Sequence, residues 1–212
     1  AYYTTRYFRQ AFNIFAANGI LFNHESPRRG INFVTRKITI GLAKILTKEI
    51  ECLELGNLSA RRDWGFAGDY VEAIWQILQQ EKPDDFVIAT GKQYSVRQFI
   101  EMSANELGIN IKWEGRGEDE IGSINLSSPI LNTQQTALKA GDIIFRIDPR
   151  YFRPTEVDLL IGDAFKAKNK LGWTPKYDLA YLVKDMMQSD LHLMKKDTYL
   201  KEGGYKTLNY FE

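Results

Sequence analysis

A chain of 212 residues that is 44% hydrophobic and 13% aromatic can bury a sizeable core, in one large domain or one and a half smaller ones. With 28 basic against 27 acidic side chains and a net charge of +1, nothing global attracts nucleic acid or an anionic membrane, so any anion must be met by locally placed Arg and Lys. The lone cysteine, Cys52, rules out a disulfide within the chain and reads as a small buried hydrophobe. No apolar run reaches membrane-spanning length and no charged-then-apolar leader opens the sequence, which points to a reducing, cytoplasmic setting.

In chain order, AYYTTRYFRQAFNIFAANG reads as an amphipathic helix with Phe8, Ala11, Phe12 and Phe15 on one stripe, closed by Gly19 in the left-handed cap position. It has no N-cap and is already running at Ala1. Residues 20–22 read as a short buried strand, and LFNHESPRRG as the loop at its end, because Pro27 excludes helix. A helix over 35–48 is expected to bury Ile38, Leu42 and Ile45; 51–55 alternates like a strand, and GNLSARRDWG reads as a loop. A helix over 70–80 is expected to bury Val71, Ile74, Trp75 and Leu78, followed by a strand at 86–89. Ser95 and Gln98 form a capping box for the next helix, which Gly108 closes before a strand at 109–113. Residues 115–142 are polar, with scattered Gly and Ser, and read as a long loop or insertion. A strand at 143–147, a helix over 163–171 ending at Gly172, and a last helix from Asp178 that buries Leu182, Val183 and Met186 complete the pattern; the tail from Lys195 reads as loosely ordered. Strands alternating with helices make this an α/β fold.

Three clusters carry the chemistry. Asn23, His24, Arg28 and Arg29 stand at the end of a strand, where open α/β sheets bind ligands, although a solvated loop accounts for them equally well. Arg61, Arg62 and Asp63 precede Trp64, with Trp64 in the core and Arg62 either a surface cation or a phosphate ligand. Arg153 and Glu156 flank Pro154, where a carboxylate meets sugar hydroxyls and an Arg meets phosphate, or the two form an ordinary salt bridge. Lys37, early in a helix, has the wrong sign for the helix dipole, which an anion nearby or plain solvation would offset. His192 reads as a surface histidine. There is no G-x-G-x-x-G, no P-loop, no metal-ligand spacing and no Tyr-x-x-x-Lys pair, so no metal ligand and no catalytic residue is named.

Together, LFNHESPRRG, FVTRKIT, LGNLSARRDWGFAGDYVEAIW, DFVIATGKQYSVRQFI, YFRPTEVDLLIGD and LGWTP resemble the GDP-mannose 4,6-dehydratase family of extended short-chain dehydrogenase/reductases, over nearly the whole chain. The resemblance implies the end of a Rossmann-type NAD(P)-binding domain plus a smaller α/β substrate-binding domain. Residues 1–30 then close the cofactor domain, 31–212 are mainly substrate domain with about 64–91 returning to the cofactor domain, and 116–142 are a loop or insertion. It implies NADP contacts from His24 and Arg29, GDP-mannose contacts from Asn23, Lys37, Arg62, Arg153 and Glu156, and a homodimer or homotetramer. The implied reaction is an internal redox: hydride leaves C4 of the mannose, water is lost from C5–C6, and hydride returns to C6. This gives GDP-4-dehydro-6-deoxy-mannose, a precursor of GDP-fucose. The family's Gly-rich loop, catalytic Thr and Glu, and Tyr-x-x-x-Lys pair have no counterpart here, so the chain is expected to be the carboxyl-terminal, substrate-binding part. A non-catalytic GDP-sugar-binding fragment and a related nucleotide-sugar epimerase or reductase are the alternatives.

Overall fold

The computed structural model describes residues 1–133, 137–151 and 160–207. The elements in order are α1 (Tyr2–Phe12), β1 (Asn18–Leu21), β2 (Asn23–Glu25), α2 (Val34–Leu46), β3 (Leu53–Leu55), β4 (Arg61–Arg62), β5 (Trp64–Phe66), α3 (Ala67–Leu78), β6 (Asp85–Ile88), β7 (Tyr94–Ser95), α4 (Val96–Glu106), β8 (Ile111–Glu114), β9 (Ile121–Ile124), β10 (Ile143–Ile147), α5 (Phe165–Leu171) and α6 (Leu179–Glu202). They fall into two compact units: Ala1–Ser26 with Arg61–Tyr94 and Leu159–Leu182, and Pro27–Ala60 with Ser95–Asp158 and Val183–Glu212.

In the first unit, β1 pairs in parallel with β6, and β2 with β5 in the register Asn23↔Trp64, His24↔Gly65. The core is Tyr70, Ala73, Ile77, Phe86, Ile88, Ala167 and Trp173. Asp85 ties the start of β6 to α1 and β1: it pairs with Arg9 and accepts from the backbone and side-chain nitrogens of Asn18 at 3.1 and 2.8 Å. Burial pushes the Asp85 carboxyl up, but the bonds from Arg9 and Asn18 outweigh that and hold it below the usual range.

Two helix expectations fail here, and the run GNLSARRDWG, expected as a loop, carries β4 and the start of β5. The first helix stops at Phe12, because Asn13 takes the left-handed cap at φ 50°, and Gly19 lies inside β1. Asn tolerates that conformation better than most non-Gly residues, so either residue satisfies the local signal. Nor does α3 bury the stripe expected of it: Val71, Ile74, Trp75 and Leu78 are 64, 40, 61 and 56% exposed, while Asp69, Tyr70, Ala73 and Ile77 are buried. Two apolar stripes run along this helix one residue apart, and periodicity alone does not choose between them. The stripe containing small Ala73 packs in the core with Phe86 and Ile88. No residue of α1 is buried either; Phe8 and Phe12 stack on each other at 5.4 Å.

In the second unit, one four-stranded sheet has the order β3-β10-β9-β8, with β3 parallel to β10 and the other pairs antiparallel. The expected loop at 115–142 thus contributes β9, an interior strand of this sheet. Its sequence IGSI hides the signal: Gly122 sits opposite Trp113, and a Cβ there would meet the Trp113 ring at 2.7 Å. Ile38, Leu42 and Ile45 of α2 are buried as expected, as are Phe99, Ile100 and Ala104 of α4. The Ser95–Gln98 capping box is present with both of its bonds. The helix expected from Asp178 runs on through Lys195 to Glu202 instead of loosening.

A buried polar triad joins α2 to α6 inside this unit. Asp190, wholly buried, meets Arg36 at 2.8 Å and accepts from the Thr39 hydroxyl at 2.6 Å. Burial raises the Asp190 carboxyl from its ordinary 3.8 to about 6, against the lowering effect of Thr39 and Arg36. The folded carboxyl therefore holds its proton more tightly than the unfolded one, so its contribution is full below about pH 4 and is lost as pH rises through about 6. Urea unfolding from pH 4 to 7 should show the wild type losing roughly 3 kcal/mol relative to Asp190→Asn across that window. Parallel pH profiles for the two proteins would refute this account of the triad.

Candidate functional site

Site residues occur in both units. In the first, Asn23 and His24 stand on a strand rather than in the expected loop: their backbone continues into β2 because β5 pairs with it. His24 is fixed twice. Its Nδ1 lies 2.9 Å from the carbonyl oxygen of Phe22, which assigns the ring proton to Nδ1 and leaves Nε2 as the nitrogen for a ligand. Its ring stacks on Tyr70 at 5.2 Å. Tyr70 is buried, and its hydroxyl has no hydrogen-bond partner among the described residues; burial first, then Asp63, Asp69 and Glu25, push the phenol well above its ordinary range. Gly65 makes room for this ring, since a Cβ there would meet Tyr70 at 2.4 Å.

Asp63, from the RRDWG run, organises the turn beside these strands. Its carboxylate is wholly buried and accepts from the Thr90 amide and hydroxyl at 2.9 and 2.6 Å, from the Gly91 amide at 2.9 Å and from the Gly162 amide at 3.3 Å. Asp63 is therefore a structural anchor that sequence reasoning passed over as an ion-pair partner. Arg62, on β4, donates to the Arg61 carbonyl at 2.7 Å, and Trp64 is buried as expected.

In the second unit, Arg29 lays its guanidinium on the Phe33 ring at 3.4 Å. Lys37, in the first turns of α2, places its ammonium 3.8 Å from the centroid of Tyr151. Tyr151 follows the carboxyl end of β10, and β3 ends beside it. Burial lowers the Lys37 pKa first; Glu54 and Asp148 raise it, and Arg150 lowers it. Among the described residues no carboxylate pairs with this ammonium. Asp148 and Glu54 are engaged by Arg150 at 2.6 and 3.6 Å. Sequence reasoning missed Tyr151, Arg150 and Glu54; the available signal was the aromatic–cation run at 150–153 one residue after Pro149. Arg153 and Glu156 lie outside the described residues. His192 is exposed, and Cys52 is half-buried with its thiol pushed up by burial.

Solved structures share this architecture. One of RMD from Pseudomonas aeruginosa complexed with NADPH aligns with a TM-score of 0.66 at 14% identity, covering 90% of this chain and 52% of that one. A dTDP-glucose 4,6-dehydratase from Bacillus anthracis in complex with NAD aligns at 0.64 and 16%, covering 95% and 51%. At these identities the likeness establishes the fold alone, a Rossmann-type α/β architecture. In sequence the match is closer. The family model described as GDP-mannose 4,6 dehydratase covers residues 1–186. GDP-mannose 4,6-dehydratase of Vibrio cholerae is 52% identical over 205 residues, 97% of this chain and 54% of the relative, and that of Homo sapiens is 50% identical over 195 residues, 92% and 49%. The chain belongs to the GDP-mannose 4,6-dehydratase family and spans about half the length of the curated relatives it matches.

Two substitutions at the first unit's site should act in opposite senses. Asp63→Ala leaves three amides and a hydroxyl without their acceptor and should cost at least about 3 kcal/mol in urea unfolding. Tyr70→Phe removes only an unpartnered hydroxyl and should leave stability unchanged or raise it by up to about 1 kcal/mol. A clear loss in Tyr70→Phe would mean that the hydroxyl has a partner in solution.

Proposed function

We propose that this chain supplies the substrate-binding part of a GDP-mannose 4,6-dehydratase that works with NADP, and that it holds the nucleotide diphosphate and the nucleoside of GDP-mannose. The observation that carries this reading is Lys37: a half-buried ammonium at the carboxyl ends of the parallel strands β3 and β10, resting on an aromatic ring, with no carboxylate pairing with it among the described residues. Such a cation is poised for an anion, and ligands of open α/β sheets bind beyond the carboxyl ends of strands. Membership in the GDP-mannose 4,6-dehydratase family supports a nucleotide-sugar diphosphate as that anion.

On this reading Lys37 and Arg62 neutralise the phosphates, Asn23 contacts the substrate near its diphosphate, and Arg153 with Glu156 holds the guanosine end, a carboxylate being the natural acceptor for ribose hydroxyls. His24 and Arg29 meet the cofactor. The fit rests on His24, whose tied-back Nδ1 presents Nε2 in a fixed direction, and on Arg29, whose planar guanidinium is held against the Phe33 ring and is of the type that recognises phosphate. When bound, NADP would supply the hydride acceptor and donor for the internal redox that turns GDP-mannose into GDP-4-dehydro-6-deoxy-mannose with loss of water.

Calorimetric titration with GDP-mannose should show saturable binding. Lys37→Met and Arg62→Ala should each weaken it by about 1.5–3 kcal/mol, roughly ten- to hundredfold. Unchanged affinity in both variants would overturn the site. Mass spectrometry of GDP-mannose incubated with the protein and NADP reads turnover directly, as the loss of one water from the sugar nucleotide.

A further inference from the structure

We propose that Tyr151 is a positioning residue for Lys37: its ring holds the ammonium in place, while the neighbouring Arg150 engages Glu54 and Asp148, two described carboxylates that would otherwise compete for it. This rests on the reading of Lys37 as a phosphate-binding residue.

Three observations support it. The Lys37 ammonium lies 3.8 Å from the Tyr151 centroid, inside the range where the ring's negative face attracts a cation. The backbone that carries the ring is fixed in turn. The Tyr151 amide donates to the Asp148 carbonyl at 2.9 Å, and the Asp148 amide to the Leu55 carbonyl at 2.9 Å. Gly56 lies so close that a Cβ there would stand 2.2 Å from the Tyr151 carbonyl oxygen. The third observation concerns competition. Among the described residues, Glu54 and Asp148 are the carboxylates whose fields reach Lys37. Arg150 clasps Asp148 through Nε at 2.9 and 3.1 Å and Nη2 at 2.6 Å, and reaches Glu54 with the same Nη2 at 3.6 Å. The consecutive residues Arg150 and Tyr151 thus divide the work. One engages two nearby anions that would pair with Lys37; the other holds the ammonium through a ring face that takes no hydrogen-bond acceptor, so its N–H groups can still donate to a phosphate while the ring contact is kept.

The test separates this role from a general packing role. Lysines are dimethylated with a carbon-13 label, which keeps their charge, and the Lys37 signal is assigned by its loss in Lys37→Met. That signal should be shifted upfield by the ring current in the wild type and in Tyr151→Phe, and should move to the position of an ordinary lysine in Tyr151→Leu. By calorimetry on unlabelled protein, Tyr151→Leu should bind GDP-mannose roughly three- to tenfold more weakly, as expected for losing one cation–π contact, and Tyr151→Phe within about twofold of wild type. In the Lys37→Met background, Tyr151→Leu should cause no further loss. Arg150→Gln should weaken binding only while Lys37 is present. An unshifted Lys37 signal in the wild type, or an equal loss from Tyr151→Leu in both backgrounds, would overturn the proposal. Lys37→Met binding as tightly as wild type would instead overturn the reading of the site, while the carbon-13 shift would still decide whether Tyr151 holds Lys37.

Discussion

The parallel pairing of Leu53–Leu55 with Phe145–Ile147 fixes the second unit's chemistry. Two strands ending side by side bring Gly56 against the backbone of Tyr151 and carry Glu54 and Asp148 to the same edge, where Arg150 spans them. The α2 helix, held by its buried Ile38, Leu42 and Ile45, then delivers Lys37 over that edge. Lengthening either strand by one residue would reverse which side chains face the edge, because successive strand residues point to opposite faces. The cation's environment follows from that register, Phe145↔Leu53 and Ile147↔Leu55.

In the first unit the corresponding constraint is one carboxylate. Asp63 collects four donors from two chain segments remote in sequence, and all of them are backbone amides except the Thr90 hydroxyl. Wholly buried, it costs much to desolvate and is retained only because each lone pair is used. With that turn fixed, β5 can pair with β2, and Tyr70 can lie under His24 through the space left by Gly65. The histidine and the lysine are thus both oriented by a tyrosine ring, one by stacking and one by its quadrupole.

Strong local signals were read correctly. The Ser95–Gln98 capping box, the glycines after α4 and α5, the strand at 143–147 and the buried stripe of α2 each follow from chemistry within a few residues. The failures share a cause. Gly19 and Asn13 both offer a helix stop, α3 offers two apolar stripes, and IGSI offers no apolar alternation because Gly122 must yield to Trp113. In each case a residue some distance along the chain made the choice.

The same division holds for the site. Residue types and their order were enough to single out Asn23, His24, Arg29, Lys37, Arg62, Arg153 and Glu156 and to point to a family, since a run such as LFNHESPRRG followed by RPTEVD is highly specific. The sequence also determined the α/β class and the need for local cations on a chain of net charge +1. Only tertiary structure decided that Asn23 and His24 stand on a strand, that Asp63 is an anchor, and that Lys37 rests on Tyr151 while Arg150 takes its competitors. Those outcomes depend on contacts between residues more than a hundred positions apart for Lys37 and Tyr151, and about a hundred for Asp63 and Gly162. No local propensity encodes such distances; they arise when burial and strand pairing close the chain on itself.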